Sequence, residues 1–181
     1  MIIGEKIRLR PIEQDDLPRF TEWFGDPEVR RYLMQYLPFS LAQEERWFEN
    51  LQKRLERREA AVLAIETIEG VLIGNIGLHD INWKNRSAEL GIVIGERKYW
   101  SRGYGTDAIR TMLKLAFHEM NLHRVFLRVD ADNGRGIRCY EKVGFQREGI
   151  LRETGFKMGG YFDQYIMSVL ESEFEGISEP A

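Results

Sequence analysis

Apolar and polar positions along the chain change period several times, and each change predicts an element. Ile7-Arg8-Leu9-Arg10-Pro11 alternates, as a strand with one buried face does. Leu17, Phe20, Trp23 and Phe24 have helical spacing, with Asp15 or Asp16 available as a cap and Gly25 and Pro27 as stops. Ser40-Leu41-Ala42-Gln43 has the spacing of a capping box. It opens a longer helix with Trp47, Leu51 and Leu55 on one side and charges on the other. Strands are predicted over 61–67, 71–78 and 88–94, the first two joined by a tight turn at Glu69-Gly70. Ile109, Met112, Leu113, Ala116, Phe117 and Met120 then mark the buried face of an amphipathic helix. Residues 124–129 alternate again, and a short helix over 135–143 ends at Gly144, a suitable left-handed terminator. Strands over 149–156 and 164–170 flank a Gly159-Gly160 turn, and 171–181 reads as a polar, frayed tail.

The predicted order is strand, two helices, three strands in a meander, helix, strand, helix, two strands. This is a mixed α/β sheet in one domain, residues 1–170. The helical crossover makes 88–94 and 124–129 parallel neighbours. With 181 residues, 43% hydrophobic and 30% charged, the chain has the make-up of an ordinary globular domain. No stretch reaches the roughly 18 apolar residues of a membrane helix. The first residues lack the layout of a secretory signal. A single cysteine, Cys139, excludes an intrachain disulfide and fits a reducing compartment, so a cytoplasmic location is expected. The net charge of −3 argues against a nucleic-acid partner, whose usual footprint is a basic face.

The chemistry concentrates in the turn after the third meander strand, Tyr99-Trp100-Ser101-Arg102-Gly103-Tyr104-Gly105-Thr106, which opens the amphipathic helix. A helix start exposes unpaired N–H groups at the positive end of the macrodipole, and Gly103 and Gly105 clear side chains from the approach. A phosphate or pyrophosphate is the ligand this favours. A P-loop is excluded because no lysine follows Gly105. Gly103 to Ala108 also satisfies the dinucleotide fingerprint, with Asp130 placed for a ribose contact. Against that reading, Gly95 to Arg102 separate the first glycine from its strand, and a meander precedes the unit. His118 and His123 are five apart and His79 is remote, so no metal site is expected.

Arg102-Gly103-Tyr104-Gly105-Thr106, Asn133, and Cys139-Tyr140-Glu141-Lys142-Val143-Gly144-Phe145 together resemble the GNAT N-acetyltransferase superfamily. The branch holding ribosomal-protein N-terminal and spermidine acetyltransferases is the most similar. Leu9-Arg10-Pro11, Asn121-Leu122-His123-Arg124-Val125, Glu148-Gly149 with Arg152, and Tyr161-Phe162-Asp163 with Met167 extend the likeness over the chain. The resemblance implies a GNAT-like fold and acetyl-CoA as cosubstrate, held where two parallel strands splay apart. It implies strand-backbone contacts from Ile92, Val93 and Ile94 to the pantetheine arm, and pyrophosphate binding by N–H groups of Arg102, Gly103, Tyr104, Gly105 and Thr106. Asn133 would hydrogen-bond the arm, or simply form the turn before the short helix. Arg102 would add a charge, or be a solvated loop cation. Tyr140 would protonate the departing thiolate, or be a core tyrosine. Glu89 would act as general base through water, or as an ion-pair partner. Trp100 stands where the family usually has Gln or Arg, and would pack under the loop. Cys139 reads as a small buried hydrophobe.

The resemblance places the acceptor between the N-terminal helices and the final hairpin. Trp23, Phe24, Tyr32, Tyr36, Phe39 and Trp47 lie on one side, Tyr161, Phe162 and Tyr165 on the other. Glu22, Asp26, Glu28, Glu44 and Glu45 could attract a cation, although several arginines are interleaved with them. The expected activity is acetyl transfer to a primary amine, on a protein N-terminus or a small polyamine-like molecule. A homodimer is the oligomer the resemblance suggests. A catalytically silent acyl-CoA-binding module is the alternative.

Overall fold

Alternation decides which side of a single mixed sheet each strand residue serves. In a computed structural model, residues 1–35 and 37–174 are described; Tyr36 and residues 175–181 of the expected tail lie outside. The strands among the described residues are β1 (Ile2–Ile3), β2 (Ile7–Pro11), β3 (Ala61–Thr67), β4 (Leu72–Asn82), β5 (Ser87–Ile94), β6 (Arg124–Asp130), β7 (Gln146–Lys157) and β8 (Gly160–Leu170). They lie in the order β1-β2-β3-β4-β5-β6-β8-β7. The helices are α1 (Leu17–Gly25), α2 (Pro27–Arg30), α3 (Leu41–Glu56), α4 (Tyr104–Lys114) and α5 (Gly134–Val143). Leu9, Ile65, Ile76, Leu78 and Leu90 bury one sheet face against Ile109, Met112 and Leu113 of α4. Val62 and Ala64 point the other way, towards Leu17, Phe20 and Trp23 of α1 and Leu51 of α3. Each such aliphatic or aromatic side chain contributes roughly 1.5–3 kcal/mol by leaving water.

The expected mixed sheet and its parallel pair are present, and that pair is short. β5 and β6 match only at Ser87↔Arg124, Ala88↔Val125 and Glu89↔Phe126. Beyond these, β5 stays on β4 as far as Ile94↔Gly74, while β6 stays on β8 as far as Asp130↔Gln164. The sheet therefore forks, and the fork makes the cavity described below.

Local differences from expectation have local causes. Pro27 starts a helix rather than stopping one: Asp26 caps α2 by accepting the Glu28 N–H at 2.9 Å, and proline suits a first helical position. Asp16 stands before α1, but its carboxylate takes two Arg10 N–H groups (2.7 and 2.8 Å) and the Glu13 N–H (2.8 Å) instead of capping the helix. The last hairpin turns at Met158-Gly159 (φ +51° and +81°), one residue earlier than expected, with Lys157 opposite Gly160. The capping box of α3 forms as read, with Ser40 Oγ accepting from the Gln43 N–H and Gln43 Oε1 accepting from the Ser40 N–H.

Candidate active site

A cavity of about 340 Å³ opens in the fork. One wall is Ile92, Val93 and Ile94 of β5, the α4 start at Gly103, Gly105 and Thr106, and Asn133, Cys139 and Tyr140 of α5. The other carries Val29, Tyr32, Arg128 and Asp130. Among the residues singled out from sequence, Arg102, Tyr104 and Glu89 stand outside this lining.

The α4 start is held bare. Gly103 occupies the cap position at φ +88°, a left-handed conformation that suits glycine, and no side chain caps the helix. Gly105 is different: its φ is unexceptional, and an added Cβ would meet Cys139 Sγ and Ile94 Cγ1 only at an ordinary 3.8 Å. The fold does not need glycine there, so the space it leaves belongs to the cavity. Asp107 fixes the helix from behind. Its carboxylate, 6% exposed, accepts the N–H groups of Glu5, Lys6 and Ile7 at 3.2, 2.7 and 3.1 Å. Lys6 in turn donates its ammonium to the Arg102 carbonyl at 3.1 Å, a cation beside the anion-binding turn. Sequence reasoning missed both, because their partners lie about a hundred residues away. The Arg102 side chain is exposed and donates to the Lys98 carbonyl at 3.3 Å, and the Tyr104 ring packs edge-on against Tyr99.

On β5 the peptide groups divide. Gly95 donates to the Ile73 carbonyl at 2.8 Å, so antiparallel alternation turns the peptide groups of Val93 towards β4 and those of Ile92 and Ile94 into the fork. The Ile94 carbonyl is taken by the Trp100 indole N–H at 2.6 Å. Trp100 does more than pack under the loop: the Arg135 guanidinium lies 3.7 Å from its ring centroid, so the ring orients a cation of the lining.

On α5, Asn133 Oδ1 caps the helix by accepting the Gly136 N–H at 3.0 Å, which leaves its NH₂ for a ligand. Burial pushes the Cys139 thiol pKa up and outweighs the opposing contact from Thr106 Oγ1 at 3.3 Å, which suppresses thiolate chemistry. Tyr140 packs its ring edge-on against Phe145 at 5.8 Å. Its hydroxyl has no protein hydrogen-bond partner among the described residues, and Tyr140 lines the cavity. Burial raises the phenol pKa, so the proton is kept at neutral pH.

Glu89 sits at the last parallel pair, on the face of Gly91 and Val93. Arg128 clamps both of its carboxylate oxygens at 2.9 and 3.1 Å, across the mouth of the fork. His79 is its register partner on β4, and burial with the nearby Arg54 lowers the imidazole pKa. Among the described residues no three His, Cys, Asp or Glu side chains gather as metal ligands.

The aromatic residues expected around an acceptor divide sharply. Trp23 is buried, donating to Glu96 at 2.9 Å, and Phe24 packs against Phe39. Tyr161 is exposed beside Phe156, Tyr165 lies under Arg147, and Tyr36 is outside the described residues. Tyr32 lines the cavity and Phe162 stands behind it, and both rings face the Lys157 ammonium, at 5.3 and 4.4 Å. Three of the acids are engaged elsewhere, while Glu28 and Glu45 are exposed. Glu22 pairs with Arg19, Asp26 caps α2, and Glu44 is 1% exposed with Oε1 unpartnered, its pKa pushed up to about 7 by burial.

A forked mixed sheet with a bare helix start at the fork and a phenol inside it is the architecture of a coenzyme A-dependent acyltransferase. The sequence profile of the acetyltransferase (GNAT) domain matches residues 6–146, and the chain belongs to that family. It is 30% identical to a spermidine N(1)-acetyltransferase of Vibrio cholerae, over 98% of this chain and the whole of that protein. It is 28% identical to a putative ribosomal N-acetyltransferase of Bacillus subtilis, over 96% of each. A crystal structure of the Vibrio cholerae spermidine N-acetyltransferase with CoA and spermine superposes with a TM-score of 0.84, at 28% identity over 94% of this chain and 98% of that one.

Proposed function

We propose that the cavity binds acetyl-CoA and that its acetyl group passes to a primary amine by direct attack, in the cytoplasm. The diphosphate is received by the N–H groups of residues 102–106, with Lys6 adding charge. The pantetheine arm runs along β5, where the peptide N–H groups of Ile92 and Ile94, the Ile92 carbonyl and the Asn133 amide meet it. The amine attacks the thioester carbonyl, the carbon–sulfur bond breaks, and Tyr140 donates its proton to the leaving sulfur.

A primary amine of pKa near 10.4 is mostly protonated at pH 7, a penalty of roughly 4–5 kcal/mol, so an acceptor for its proton is needed. Glu89 serves through water, with Arg128 fixing the carboxylate's orientation and the half-buried His79 alongside.

The observation that carries this reading is that the uncapped α4 start, the β5 residues Ile92 to Ile94 and Tyr140 all line one cavity. Relatives named for spermidine and for ribosomal protein acetylation support amines as the acceptor class. The test is calorimetric titration with acetyl-CoA, followed by thiol release over an amine panel and detection of the acetyl mass increment. Binding without turnover on any amine would favour a silent acyl-CoA-binding module; no binding would defeat the reading.

A further inference from the structure

Asp130 is the one carboxylate among the described residues that line the cavity, and it is already occupied. It is 4% exposed and forms an ion pair with the Lys157 ammonium, while its other oxygen accepts from Gln164 Nε2 at 3.0 Å. The same ammonium donates to the Arg31 carbonyl at 2.8 Å and faces the rings of Tyr32 (5.3 Å) and Phe162 (4.4 Å). An anion, a carbonyl and two aromatic faces make a complete receptor for a primary ammonium. It stands on the wall opposite the proposed coenzyme site, with Tyr32 and Asp130 shared between the receptor and the cavity. Its occupant is the protein's own lysine, carried by the last residue of β7 beside the hairpin turn. The remaining charges of the lining are cations: Arg128, Arg135, Arg138 and Lys142.

We propose that Lys157 is a specificity-determining residue: by filling the Asp130–Tyr32–Phe162 cage, it leaves an acceptor's second positive charge without a partner, so that the enzyme selects amines lacking one. The inference rests on the amine-acetylating reading above and narrows its acceptor. A diamine entering the cavity must either leave its far ammonium among Arg135, Arg138, Lys142 and an Arg128 already paired with Glu89, or evict Lys157. The tethered lysine competes at an effective concentration of order millimolar, which a free diamine has to exceed. A monoamine, or an N-terminal amine on an uncharged peptide, meets neither obstacle.

Pentylamine and 1,5-diaminopentane differ by one ammonium and serve as probes. Wild-type protein should use pentylamine with kcat/KM at least about tenfold above the diamine. Lys157→Gln should raise kcat/KM for the diamine by about tenfold or more, and tighten its calorimetric Kd to the CoA-bound protein similarly, while pentylamine changes less than about twofold. Adding Asp130→Asn to Lys157→Gln should abolish that gain, because the cage then lacks its anion. The ratio of two acceptors on one variant cancels any loss of folded protein. An unchanged ratio in Lys157→Gln, or a wild-type preference for the diamine, overturns the proposal. Failure of the wild-type protein to acetylate any amine in a wider panel defeats the enzymatic reading itself, a different outcome.

Discussion

On the α4 side of the cavity the groups facing the ligand space are mainly main-chain: the uncapped N–H groups at the helix start and the peptide groups of Ile92 and Ile94. On the α2 side they are side chains, Tyr32 and Asp130, which Lys157 bridges from outside the lining. The first wall is built from short stretches of chain, a strand end and a turn with two glycines, which Asp107 braces from behind. The second is fixed by pairings such as Lys157 to Arg31, separated by 126 residues. A wall made of backbone changes little when side chains change, so one fold can keep its donor while its acceptor shifts.

Several substitutions test how separate the two walls are. Asp107→Ala strips a buried carboxylate from three N–H groups and should cost about 3–4 kcal/mol in urea unfolding. Because Asp107 holds only the α4 side, acetyl-CoA affinity should fall while the acceptor ratio of the surviving folded protein stays put. Glu44→Gln probes the helical layer on the acceptor side. The folded pKa of about 7 lies above the ordinary carboxylate value of 4.5, so the unfolded chain ionises first and stability declines as pH rises through that window. The variant should gain on wild type by about 3 kcal/mol between pH 4.5 and pH 8, with matched denaturant midpoints at pH 4.5. A gain independent of pH would mean that Glu44 stays ionised.

Tyr140→Phe should lower kcat about a hundredfold, near 2.7 kcal/mol, with acetyl-CoA Kd within about twofold. Because the hydroxyl has no protein partner, the melting temperature should barely move; unchanged kcat would remove the acid role. Gly105→Ala should weaken acetyl-CoA binding about tenfold, or 1.4 kcal/mol, while stabilising the helix slightly. An equal loss of binding and of melting temperature would mean that glycine serves the fold after all.

The same division explains what could be read from sequence. Gly103, Gly105, Asn133 and Gly144 act on residues within a few positions of themselves, and their turns and caps appear where the pattern put them. The helical crossover implied the parallel pair and the family resemblance its splaying, but the insertion of β8 between β6 and β7 depends on long-range pairing that no local pattern encodes. Lys157 reads as an ordinary hairpin cation until Arg31, Asp130 and Phe162 are brought around it. Asp107 reads as a favourable first-turn acid, with nothing to announce its three distant N–H partners. Glu44 was within reach. It precedes Trp47 and Leu51 by three and seven positions, on the buried stripe of α3, although its charge suits the polar side.

The early end of the β5–β6 ladder has one more consequence. Beyond Glu89 and Phe126 the two strands belong to separate leaves of the sheet, and the peptide groups of Ile92 and Ile94 have no neighbouring strand to lean on. A donor lying along β5 would act as the missing rung between the leaves. Amide deuterium uptake should then slow at Ile92 and Ile94 when acetyl-CoA is added, and stay unaltered at β2 and β3, the remote strands of the same leaf.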